Sequence, residues 1–191
     1  MSYPSNAPGL SFRNARALAI FIVVLCVSFV ADRVLPLEQF GLRPRSLDGL
    51  TGIVAMPLLH ADLAHLCANL VPLIVLMAML IATQSRPLIT ALLISLLSGL
   101  LTWLFARSGN HIGASGLVFG LATCLIVSGY RSRSLLALAA AGVTALVYGT
   151  TLLTGVMPTQ GRVSWDGHLA GAVAGILVAR YYVPVSRSAS Y

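Results

Sequence analysis

His60–Thr83 reads HADLAHLCANLVPLIVLMAMLIAT. From Leu63 onward almost every residue is apolar, and about 20 such residues is the length that crosses a bilayer as a helix. Pro72 lies inside the run, a kink that membrane helices tolerate. The start of the run is different, because it carries His60, His65 and Asn69. Strongly polar groups inside a span are costly and are functional candidates by default. His65 and Asn69 are four apart, about 40° around a helix, so they share a face. Such a pair also serves as hydrogen-bonding glue between membrane helices, so the rest of the chain must decide its use.

Working outward, the whole chain has the same character. Of 191 residues, 58% are hydrophobic and 9% charged, against about 25% charged in a soluble domain. That excludes a soluble globular enzyme, a disordered chain and any large extramembrane domain. The pattern predicts an all-α polytopic membrane protein with six spans, at about residues 17–35, 60–83, 87–106, 115–130, 134–157 and 168–183. Residues 1–16 and 184–191 read as short tails around a membrane domain at 17–183. Arg13 and Arg16 before the first apolar run imitate a secretory signal, but Phe29 stands where cleavage after Ala31 needs a small residue. An uncleaved first span is expected. The segment 37–59, with Gly41, Pro44, Gly49, Gly52 and Pro57 as breakers, reads as a long loop dipping into the interface.

All twelve basic residues are Arg, giving a net charge of +7. They sit at the ends of apolar segments rather than in a patch, which speaks for topology and against nucleic acid. With the N-terminus cytoplasmic, seven arginines fall inside (Arg13, Arg16, Arg86, Arg131, Arg133, Arg180, Arg187) and five outside (Arg33, Arg43, Arg45, Arg107, Arg162). The expected topology is therefore N-in and C-in across the cell's inner (plasma) membrane. Cys26, Cys67 and Cys124 lie within apolar segments without paired spacing and read as packing residues.

Spans 2, 4 and 6 run in one direction, so their N-terminal ends share one side of the bilayer. Those ends carry His60, His65 and Asn69, then Ser115, then His168, each within about two turns of its span's start. His60 and His65 are about 140° apart on a helix, poor for chelating one metal, and no HExxH is present to suggest a zinc site. His60 reads as a helix-entry residue. Ser115 lies in HIGASGLVFG, bracketed by Gly113 and Gly116 where loop becomes helix. Gly116 and Gly120 have the spacing of close helix packing, and the run is not the GxSxG elbow of soluble hydrolases. Yet free N–H groups and the helix dipole at such a start favour an anion, beside a hydroxyl nucleophile. His168 opens DGHLAGAVAG, where Gly167, Gly171 and Gly175 form a smooth stripe for a neighbouring helix. Asp166, two residues earlier, reads as an N-cap rather than as the acid of a triad.

In order and spacing, these three runs resemble the rhomboid family of intramembrane serine proteases. The resemblance rests on H-x4-H-x3-N (His60, His65, Asn69), GASG (Gly113 to Gly116) and GHLAGAVAG (Gly167 to Gly175). It implies Ser115 as nucleophile and His168 as general base, without an acid. It implies His65, Asn69 and the Ser115 backbone N–H as oxyanion donors, with Gly113, Gly116, Phe119 and Gly171 in support. Phe119 matches the aromatic that stacks on the catalytic histidine. The family's Trp-Arg pair in the loop after span 1 is not found. The implied form is the minimal six-helix bacterial one.

The implied chemistry is acyl transfer on a transmembrane protein, a single-span substrate unwinding near a small residue, in a cavity open to the outer face. It needs no cofactor and no metal. Two rivals are a rhomboid-like protein that binds membrane helices without cutting, and a small transporter. No polar groups are expected in the inner halves of spans 2, 4 and 6 to continue a transport path.

Overall fold

Three of the long helices start where a polar side chain caps them. Asp62 accepts the His65 N–H at 2.7 Å and so starts α3 (Leu63–Thr83), satisfying one of the donors a helix N-terminus leaves free. His60 therefore stays in the preceding loop, three residues before the helix, although the expected span began at His60. Ser134 caps α6 (Leu135–Gly155) by accepting from Ala137 N at 3.2 Å. Ser164, not Asp166, caps α7 (Trp165–Tyr181), accepting from Gly167 N at 3.3 Å. This corrects the expected cap and starts α7 three residues early, with Asp166 inside its first turn. The first helix, α1 (Phe12–Ala31), ends four residues before the expected Leu35. Beyond it, Asp32 Oδ1 accepts from Leu37 N at 2.8 Å and Glu38 N at 3.2 Å and turns the chain.

This is a computed structural model that describes residues 12–132, 134–158 and 164–184. Most of the expected tails, and Arg133, Arg162 and Arg187, lie outside the described residues. The remaining helices are the four-residue α2 (Gly52–Ala55), α4 (Pro87–Phe105) and α5 (Ser115–Ser132). The long loop is built from α2 and three short 3-10 turns, Leu37–Phe40, Leu47–Gly49 and Met56–Leu58. Among the described residues there is no strand, only an isolated antiparallel bridge between Leu42 and His111. Among the described residues four helices, α1, α3, α4 and α6, are long and apolar enough to cross a membrane.

The other two long helices, α5 and α7, form the most extensive contact in the fold. Small residues make this possible. A Cβ on Gly171 would overlap the Gly116 carbonyl, and one on Gly175 the Gly120 carbonyl. Thr123 Oγ1 donates across the contact to Ala172 O at 2.9 Å. Gly171→Val is accordingly expected to lower stability by about 3 kcal/mol through overpacking, read from unfolding in mixed detergent micelles. Gly142→Ala, with nothing within 4 Å of the added carbon, serves as the silent control.

Around this pair the core is leucine-rich, with Leu73, Leu76, Leu80, Ile94 and Leu121 fully buried. At the end of the bundle opposite Asn69 and Ser115 lies a polar cluster the sequence analysis overlooked. Gln84 Nε2 donates to Ser128 Oγ at 3.2 Å, and Thr90 Oγ1 donates to Gln84 Oε1 at 3.0 Å. The cluster borders a cavity of about 530 Å³ also lined by Arg86, Ser132 and Tyr182. By contrast, α6 buries only Ala137, Ala141 and Thr144, all in its first half.

Candidate active site

The loop entering α5 is held tightly against α3 and the turns before it. Gly113 N donates to Met56 O at 2.9 Å, and Ala114 N donates to His60 Nε2 at 3.4 Å. His60 is fully buried; desolvation first, then the charge of His65, push its pKa down to about 4. It is thus a neutral acceptor, and its place is to hold the loop. Gly113 has φ +113°, a backbone state that side chains disfavour. A Cβ there would stand 2.6 Å from His65 Nε2 and 3.4 Å from Asn69 Nδ2. The His65 ring and the Asn69 amide therefore converge on the backbone just ahead of Ser115.

Ser115 is the first residue of α5, so its N–H is among those with no intrahelical acceptor. Ser115, His65 and His168 are half-buried, whereas Asn69 is buried. Asn69 Nδ2 has no hydrogen-bond partner among the described residues. Leaving such a donor unpaired costs about 1–3 kcal/mol.

His168, in the first turn of α7, meets α5 and α6 together. Its ring stacks on Phe119 with centroids 4.2 Å apart and planes 12° apart. Phe119 is one turn beyond Ser115 on α5. His168 Nδ1 lies 2.9 Å from Gly155 O. A carbonyl only accepts, so in the neutral ring Nδ1 carries the proton and Nε2 keeps its lone pair. Close behind, a Cβ on Gly116 would lie 3.3 Å from Gly167 O, so the residues next to Ser115 and His168 back onto each other.

Asp166 is fully occupied elsewhere. Its Oδ2 accepts from Arg107 N at 2.7 Å and Arg107 Nε at 3.1 Å, and its Oδ1 from Gly167 N and Ser164 Oγ at 3.1 Å. Arg107 also lies over the Trp165 ring at 5.2 Å. His111 joins the same cluster, with Nδ1 2.6 Å from Ser164 Oγ and Nε2 2.9 Å from Arg107 O. This network ties the loop before α5 to the start of α7, which places both at one level.

The loop after α1 is anchored by a residue the sequence analysis did not single out. Arg45 N donates to Trp103 O at 3.0 Å, and its Nη1 donates to Leu104 O at 3.2 Å and Ala106 O at 2.8 Å. Trp103 Nε1 returns a bond to Ser46 O at 2.9 Å. A guanidinium on the free carbonyls of the α4 C-terminus is a charge-assisted cap. Arg45→Ala is expected to lower stability by about 2 kcal/mol, measured by denaturant unfolding in detergent.

The Rhomboid domain family matches the chain over residues 48–185. The chain belongs to the rhomboid family. Its relatives include the uncharacterised protein Rv1337 of Mycobacterium tuberculosis, 44% identical over 153 residues, which is 75% of this chain and 63% of that protein. The uncharacterised protein ML1171 of Mycobacterium leprae is 39% identical over 153 residues, 75% of this chain and 60% of that protein. This rhomboid thus spans less than two thirds of the length of the relatives it matches. The match takes in His60, His65, Asn69, Ser115, Phe119, Gly155, His168 and Gly171, and begins just after Arg45 and Ser46.

Proposed function

We propose that this rhomboid is an intramembrane serine endopeptidase working through a Ser115–His168 dyad. The observation that carries the reading is the setting of the His168 ring. It is stacked against the helix that begins at Ser115, with Nδ1 2.9 Å from the Gly155 carbonyl, a contact that in the neutral ring puts the proton on Nδ1 and leaves Nε2 basic. Asn69 adds a buried amide donor with no partner among the described residues, aimed at the same loop.

In this mechanism Ser115 Oγ attacks the scissile carbonyl carbon as its proton passes to His168 Nε2. The carbonyl oxygen becomes an oxyanion held by the Ser115 N–H, His65 and Asn69. As the C–N bond breaks, His168 returns the proton to the leaving amine, and water then hydrolyses the acyl-enzyme. No cofactor enters these steps. The substrate is a transmembrane protein, by family analogy a single-span one that unwinds near a small residue. In this reading α1 and α3 to α7 all span the inner (plasma) membrane, both termini are cytoplasmic, and the site opens to the outer face. At 17 residues, α7 is about 26 Å long, close to the hydrocarbon thickness of about 30 Å.

Two other readings fit less well. A non-cleaving helix binder has no use for a serine and a tautomer-fixed histidine at one crossing. A transport path would have to pass Leu73, Leu76, Ile94 and Leu121, which lie fully buried between the two polar levels. The discriminating experiment is labelling with a fluorophosphonate serine probe. Wild type is expected to label, and Ser115→Ala and His168→Ala are not. Equal labelling of all three, or none of folded wild type, contradicts the proposal.

A further inference from the structure

The Gly155 carbonyl does something a dyad leaves unassigned, and it comes from a helix the catalytic motifs do not include. Gly155 is the last residue of α6, so its C=O has no partner within the helix. The same helix end carries about half a negative charge from the aligned peptide dipoles. His168 Nδ1–H is given to this oxygen at 2.9 Å. Asp166, the nearest acid in sequence, is committed to Arg107, Ser164 and Gly167.

Resting on the dyad reading, we infer that the C-terminal carbonyl of α6 takes the place of the triad acid and that Gly155 is a positioning residue for His168. It fixes the ring with Nδ1 protonated through the whole cycle. It also sets the negative end of a helix against the imidazole while Nε2 holds the Ser115 proton. Only glycine allows the approach: a Cβ at 155 would overlap Phe119 Cζ, lie 2.9 Å from Phe119 Cε1 and lie 3.4 Å from His168 Nδ1. The outer half of α6 fully buries no residue; Tyr148 and Leu152 pack against the core, and the meeting of Gly155, Phe119 and His168 ties its end to the site. The base is therefore competent only while the end of α6 is seated.

The test is nitrogen-15 NMR of histidine-labelled protein in micelles, with the His168 signals identified by their loss in His168→Ala. Wild type is expected to show a pyrrole-type Nδ1 and a pyridine-type Nε2. Gly155→Ala is expected to lose that pattern and to slow probe labelling about 100-fold, within the loss of up to about 10⁴ seen when a serine-protease triad acid is neutralised. Gly155→Ala combined with Phe119→Leu removes the nearest clash and leaves the carbonyl, so the pattern and part of the labelling rate return. A wild-type ring protonated on Nε2 overturns the inference. So does a Gly155→Ala ring that keeps the wild-type pattern while labelling falls, since glycine would then serve packing alone. If wild type never labels but shows the Nδ1–H pattern lost in Gly155→Ala, the protease reading fails while the carbonyl's hold on the ring stands.

Discussion

Ser115→Ala and His168→Ala are each expected to cut turnover of a fluorogenic single-span substrate in proteoliposomes by about a million-fold, in practice to background. The magnitude follows from how a nucleophile and its base act as a unit in serine proteases: losing either one removes nearly all that both supply. The sharper part of the prediction is non-additivity. The double variant should be no slower than either single one, because an alanine at 115 leaves His168 no proton to accept. Losses that multiplied would mean the two side chains act separately, and their common level at the α5–α7 crossing would have no catalytic meaning.

Asn69→Ala is expected to separate turnover from stability. Removing one oxyanion donor costs about 100- to 1,000-fold in kcat, and KM should stay within a few-fold because the interaction is made mainly in the transition state. Stability should hold or rise by about 1 kcal/mol, since the amide is buried with Nδ2 unpartnered among the described residues and its desolvation penalty disappears. Gln84→Ala makes the contrast. That side chain bonds both Ser128 and Thr90, so its loss should lower stability and leave kcat nearly untouched. If Asn69→Ala instead destabilised the fold in step with its activity, the residue would be structural glue.

The helical class, and the shared level of His65, Asn69, Ser115 and His168 at like-directed helix starts, could be read from the chain because both are written in side-chain type. A long apolar run that opens on polar residues is a local pattern. What could not be read depends on partners far apart in sequence or on backbone atoms. Arg45 sits in an Arg-Pro-Arg loop that looks like any other until the α4 C-terminus is brought beside it. Asp166 carries a cap-like signature, yet Arg107 captures it and Ser164 does the capping. Gln84, Thr90 and Ser128 each resemble turn or packing residues alone, and only the bundle assembles them. Gly155 acts through a carbonyl, which every residue owns, so no side-chain pattern could mark it. The two most buried helices, α5 and α7, are also the ones whose glycines dilute the apolar signal, so among the described residues four helices rather than the expected six are long and apolar enough to cross a membrane.

In the proposed mechanism three helix starts bring a hydroxyl, an imidazole and an amide within reach of one reacting carbon. A structure of the protein after reaction with a fluorophosphonate tests it most directly. Phosphorus bonded to Ser115 Oγ is expected, with the phosphoryl oxygen about 3 Å from Asn69 Nδ2 and the Ser115 N–H, and His168 Nε2 on the same side of the adduct. An adduct on another residue, or one whose oxygen points away from Asn69 toward lipid, would contradict it.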